Sequence, residues 1–161
     1  MVRRAARRAL TIVVCLIAAT SWAAAQSKDP FVGTWVLNAA QSKYTPGPVP
    51  RSATAVIETA GSGYRFTVKQ MPASGAAQEW SFTTALDGKP AKVTGNNPNA
   101  DAITVKRVDA NTLETMNSRG GKETTRQRNV VSADGKTRTV TTTGVDGAGQ
   151  KINNVAVYEK K

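Results

Sequence analysis

Apolar and polar residues alternate along most of this chain, and the alternation breaks at short intervals where residues that favour tight turns sit together. Tyr64, Phe66 and Val68 fall on one face of an extended segment while Arg65, Thr67 and Lys69 fall on the other. Successive side chains of a strand point to opposite faces, whereas a helix repeats every 3.6 residues, so this pattern specifies half-buried strands. Trp80, Phe82 and Thr84 repeat it opposite Glu79, Ser81 and Thr83, and Ile103 and Val105 do so opposite Thr104 and Lys106. Gly61-Ser62-Gly63, Asp87-Gly88, Asn96-Asn97-Pro98-Asn99, Gly120-Gly121, Asp134-Gly135 and the run Asp146 to Gly149 supply the turns. Such residues accept the positive φ angles that hairpins need.

Strands are predicted near residues 32–38, 53–60, 63–70, 77–86, 90–94, 102–108, 111–117, 122–132, 136–145 and 151–159. Short strands at this spacing, with no long helical pattern, specify an all-β, antiparallel up-and-down barrel of about 8–10 strands or a sandwich. A barrel leaves no exposed strand edge. The threonines from Thr137 to Thr143 suit either a strand wet on both faces or a weakly packed edge.

Residues 1–25 are read as a signal peptide. Arg3, Arg4, Arg7 and Arg8 form a basic start, an apolar run follows, and Ala23-Ala24-Ala25 supplies small residues for cleavage. The apolar run is short for a membrane span, so no stable span is expected after cleavage. Residues 26–161 then form one domain, exported to the periplasm or secreted. The whole chain carries a net charge of +11, and cleavage takes four arginines and no acidic residue with it, leaving a basic but not extreme domain. The only cysteine, Cys15, is lost as well, so packing rather than disulfides must hold the fold.

Phe31-Val32-Gly33-Thr34-Trp35 resembles the opening strand of intracellular fatty-acid-binding proteins, and its Gly-x-Trp core is similar to that of lipocalins. Val157-Tyr158-Glu159-Lys160 resembles the fatty-acid-binding closing strand. Together these families are the calycins. The resemblance implies that the strand bearing Tyr158 pairs with the strand bearing Trp35, and that Trp35 plugs the closed end. Gly33 would allow close approach of a neighbouring strand or side chain there. Two features depart from the fatty-acid-binding pattern. Ala156 stands where those proteins carry an arginine two residues before the closing tyrosine, and the connection from Asn38 to Arg51 is too short for their helical lid. Asn38 is expected to cap a single helical turn, after which Pro46, Pro48 and Pro50 stiffen an extended strap across a barrel mouth or between strands.

Arg126 and Arg128 lie two apart on one strand and share a face. Pointing inward, they would demand a carboxylate or phosphate; pointing outward, they would form a solvated basic wall. Tyr64, Phe66, Trp80, Phe82 and Tyr158 either line an apolar pocket or fill a solid core. Catalysis is not expected. The chain has no histidine and its only cysteine lies in the leader, which removes the commonest general base, a thiol nucleophile, the usual transition-metal ligands and haem through histidine. The chain therefore reads as a monomeric binding protein for a small hydrophobic molecule, with or without an anionic group, needing no metal, cofactor or specific nucleic acid. Two alternatives stand beside it: a solid barrel serving as an envelope or protein-interaction module, and a polyanion binder acting through its basic surface.

Overall fold

The computed structural model describes residues 29–161, so the predicted leader lies outside the described residues. Eleven strands follow one another in chain order. They are β1 (Gly33–Leu37), β2 (Ser52–Ala60), β3 (Gly63–Met71), β4 (Gln78–Thr84), β5 (Asp87–Lys92) and β6 (Thr94–Gly95). The second half holds β7 (Ala102–Asp109), β8 (Thr112–Arg119), β9 (Lys122–Val131), β10 (Thr137–Val145) and β11 (Lys151–Lys160). All pairings are antiparallel, and the sheet runs β5-β7-β8-β9-β10-β11-β1-β2-β3-β4-β6. With β4 lying back against β5 and β7, the sheet forms a nearly closed up-and-down barrel. Among the described residues no helix is long and apolar enough to cross a membrane.

The seam joins the two ends of the domain. Trp35 pairs with Lys160 and Leu37 with Tyr158, while Trp35 also faces Ala55 on β2. Trp35 is 0% exposed, and its indole Nε1–H donates to the Phe31 carbonyl at 2.8 Å. Phe31, Ile57, Val105, Leu113 and Val131 pack with it to close this end of the barrel, burying the apolar area that drives folding. Asp29 folds beneath them: its carboxylate accepts from Arg107 at 2.7 Å and from the Tyr64 hydroxyl. Gly33 has a φ of +138°, and a Cβ there would lie 3.3 Å from the Lys160 side chain, consistent with the close approach expected of it.

The ten expected strands all form, and β6 is an additional two-residue strand. One turn falls elsewhere than expected. Asp87 and Gly88 lie inside β5, where the register against β7 shifts, and the chain turns instead through Leu86 at φ 61°. Leu86 packs against the core, and its N–H donates to the Thr84 hydroxyl at 3.1 Å, so burial of an apolar side chain places the bend one step early.

The opposite end is roofed by two connections. Asn38 caps a single 3-10 turn, Ala39–Gln41, as expected, with its side-chain oxygen accepting from the Gln41 N–H at 3.1 Å. The strap then runs beside β11: Lys43 and Val155 exchange backbone hydrogen bonds of 2.8 and 2.7 Å, and the Asn153 N–H donates to the Thr45 carbonyl. Tyr44, between them, turns toward the interior. From the other side the loop before β7 reaches across to the β10–β11 turn. The Asn99 side chain accepts from the Gly147 N–H at 2.9 Å, and a Cβ on Gly147 would lie 2.3 Å from the Pro98 carbonyl oxygen. Only glycine permits that approach.

Candidate functional site

Between the plugged end and the roof lies a cavity of about 190 Å³. Eight-stranded barrels are just wide enough to be filled by side chains or to hold one small ligand, so eleven strands leave room that these side chains do not fill. The walls differ in character. Phe66, Val68, Trp80 and Phe82, from β3 and β4, make an apolar wall on which the Phe66 and Phe82 rings stack at 4.7 Å. Thr115, Asn117, Gln127, Asn129, Thr142 and Asn154, from β8 to β11, make an uncharged polar wall.

One lining residue carries charge. Arg138 projects inward from β10, opposite Tyr158 on β11, and is 5% exposed. Its guanidinium lies 4.7 Å from the centroid of the Tyr158 ring and 5.5 Å from that of Trp35. No carboxylate pairs with it among the described residues, and its Nε is buried without a hydrogen-bond partner. Burial pushes the Arg138 guanidinium down to about 10, with Tyr158 pulling weakly the other way, so at neutral pH it remains a cation. Burial also raises the phenols of Tyr158 and Tyr44, so both are neutral hydroxyls beside it. Among the described residues only two further buried side-chain atoms lack a partner, Asn117 Oδ1 and Gln78 Oε1, and both belong to residues of this cavity wall. Buried polar groups are nearly always satisfied, so three orphans around one cavity single it out as the candidate site.

The residues singled out from sequence divide three ways. Phe66, Trp80, Phe82 and Tyr158 line the cavity. Tyr64 does not: it is inward-facing but sits at the plugged end, where its hydroxyl donates to Asp29 and accepts from Arg107, so it belongs to the plug. Arg126 and Arg128 are turned outward. Arg126 is held by both oxygens of Glu123 at 2.5 and 2.6 Å, and Arg128 meets Glu114 at 3.3 Å, on the wall of a hollow outside the barrel. Alternation explains the difference, because Thr125, Gln127 and Asn129 take the inward positions of β9. Exposed pairs of this kind contribute little to stability. Accordingly, replacing both arginines with alanine is expected to change binding of an anion within the barrel by less than about twofold. Isothermal titration calorimetry with octanoate checks this, and a large loss would place the anion site on the outer wall.

Arg138, Asn117, Gln78 and Tyr44 were not among the residues expected to bind. A signal for Arg138 exists in the sequence: Val140 is the one apolar residue in the run from Thr137 to Thr143, and Arg138 shares its face. Among the described residues no group of three or more Asp and Glu side chains gathers in a way that could hold a metal ion. Comparison with protein-family models, with curated proteins and with solved structures returns no match.

Proposed function

We propose that this protein is an exported, calycin-like, non-enzymatic carrier that holds a small organic acid inside its barrel, with the acid's carboxylate on Arg138. The observation that carries this reading is the buried, unpaired guanidinium facing a cavity. An uncompensated charge in the interior costs several kcal/mol, and the remedy available here is an anion delivered by a ligand. A carboxylate fits the guanidinium fork with two parallel hydrogen bonds, and the Tyr158 and Tyr44 hydroxyls are neutral donors from the same lining. The apolar wall of Phe66, Trp80 and Phe82 receives the hydrocarbon part of the acid.

Size supports a small ligand. Apolar cavities of about 150 Å³ admit benzene, so about 190 Å³ suits an acid of roughly ten non-hydrogen atoms rather than a long-chain lipid. The cavity speaks against the reading as a solid barrel. The pairing of Arg126 and Arg128 with glutamates weakens the polyanion reading, which needs free cations gathered on one face.

Titration calorimetry of residues 26–161 with octanoate and with 1-octanol tests the proposal. Octanoate is expected to bind at least about 30-fold more tightly than the alcohol, the value of a charge-assisted hydrogen bond. In Arg138→Met the two are expected to bind alike. Absence of octanoate binding, or an unchanged preference in the variant, would overturn the reading.

A further inference from the structure

Arg138 accounts for one end of an occupant; the other two orphaned groups describe its opposite end. Asn117 is 5% exposed and donates its amide N–H to the Thr125 hydroxyl at 2.8 Å, which leaves its oxygen buried and unpartnered. Gln78, at the start of β4, leaves its side-chain oxygen in the same condition. Both stand near the roofed end. The register places Asn117 opposite Thr125, and Arg138 opposite Val131. Those two β9 positions are six residues apart, about 20 Å along the strand and roughly 15 Å along the axis of a barrel with ordinary strand tilt. An extended chain of about ten atoms, with a hydrogen bond at each end, spans a separation of that order.

We infer that the acid bound on Arg138 carries an uncharged hydroxyl at its far end, which donates its one proton to the orphaned side-chain oxygen of Asn117. The inference rests on the carrier reading and adds the chemistry of the ligand's second pole. The lining decides between donors. No aspartate or glutamate faces the cavity, so an ammonium at the far end would be buried without a counter-charge. A second carboxylate would find no second cation, because Arg138 is the one charged side chain in the lining. A hydroxyl needs neither. It also satisfies the Asn117 amide in either rotation of that side chain, since it both donates and accepts. The amides of Gln70, Asn97, Gln127 and Asn154 extend the same uncharged hydrogen-bonding surface. A pocket built for a plain hydrocarbon tail would be expected to carry aliphatic side chains at these positions.

The test compares two acids of equal size on the unaltered protein, 8-hydroxyoctanoate and nonanoate, in which a methyl replaces the hydroxyl. Burial of apolar surface alone favours nonanoate, because burying a hydroxyl without partners is costly. The opposite order is expected here, with the hydroxy acid bound about tenfold more tightly by calorimetry, since a site that hydrogen-bonds a hydroxyl penalises the analogue that lacks it. In Asn117→Leu the order is expected to reverse, with nonanoate affinity unchanged or improved. Should that variant fail to fold, the comparison on the unaltered protein still decides. If both acids bind through Arg138 with nonanoate equal or tighter, the hydroxyl inference falls and the carrier reading stands. If neither acid binds, both fall together.

Discussion

Arg138→Met is expected to make the unliganded protein more stable, by about 1–2 kcal/mol, while lowering its affinity for organic acids to that for the matching alcohols. The guanidinium is pushed from its usual value down to about 10 by burial, and a shift of that size corresponds to a penalty of about 3 kcal/mol on the charged form. Contacts over the Trp35 and Tyr158 rings return part of it, about 1–2 kcal/mol together. Methionine keeps most of the volume, packs against the same rings and carries no charge, so the remaining penalty disappears. For a domain of this size the gain is expected to raise the melting temperature by roughly 3–8 °C.

The pH dependence follows from the same displacement. A base whose folded pKa is lowered destabilises the fold wherever it is charged in both states, and the penalty fades only as pH rises through the folded value. Arg138 is charged in both states below about pH 9, so the stability difference between variant and parent is expected to stay constant from about pH 5 to 9. Above pH 10 the buried phenols of Tyr44 and Tyr158 act in the opposite sense. Their pKa values are raised, so the unfolded chain loses those protons first, and stability falls as alkalinity increases. Thermal melts of both proteins across neutral pH, with and without octanoate, check the claim. The parent should gain clearly more stability on adding octanoate than the variant does. A variant less stable than its parent would mean that the ring contacts and unbroken packing outweigh the desolvation of the charge, and Arg138 would then be structural.

The strands and their meander were legible in the sequence because alternation and turn residues are local, and here they agree with the tertiary fold; the meeting of the two ends came only from the resemblance of those ends to calycin strands. The pairing of Leu37 with Tyr158 follows from the two ends of the domain having complementary apolar faces. Depth along the barrel was not legible. Period two assigns Tyr64, Phe66 and Val68 to one face, yet it does not distinguish the plug, where Tyr64 meets Asp29 and Arg107, from the cavity wall two residues further on. The face of Arg126 and Arg128 was ambiguous for a related reason. β9 ends in Val130 and Val131, one on each face, so its only apolar residues give no net direction. Val130 is 37% exposed and Val131 is 2% exposed, and the arginines share the face of Val130. On β10 the two valines differ, Val140 being 7% and Val145 39% exposed, and Arg138 shares the inward face of Val140. Asn117 and Gln78 left no comparable signal, because a lone amide within a strand is ordinary until its neighbours are known.

Trp35→Ala is expected to be the most damaging single substitution in the barrel, costing about 4–5 kcal/mol against a total stability of about 5–15 kcal/mol for a domain. Removing a fully buried indole leaves a void that the surrounding sheet can only partly fill. It also strands the Phe31 carbonyl, which accepts from Nε1 at 2.8 Å, in a site shut off from water. The location adds to the effect. β1 is five residues long and is held by three register pairs to β11 and four to β2, so the seam between the two ends of the chain is narrow. Trp35 stands in both registers, and its ring also receives Lys160 Nζ at 4.8 Å and the Arg138 guanidinium. Trp35→Phe keeps most of the buried ring but not the N–H, so it is expected to cost about 1–2 kcal/mol. Urea unfolding of the two variants measures both, and hydrogen exchange locates the damage. In Trp35→Ala, the Lys161 amide that donates to the Thr34 carbonyl at 2.9 Å should lose protection before amides of the β8–β9 ladder. If Trp35→Ala unfolds within about 1 kcal/mol of the parent, the indole is not what closes the barrel, and the sheet must be held shut chiefly by its backbone ladder.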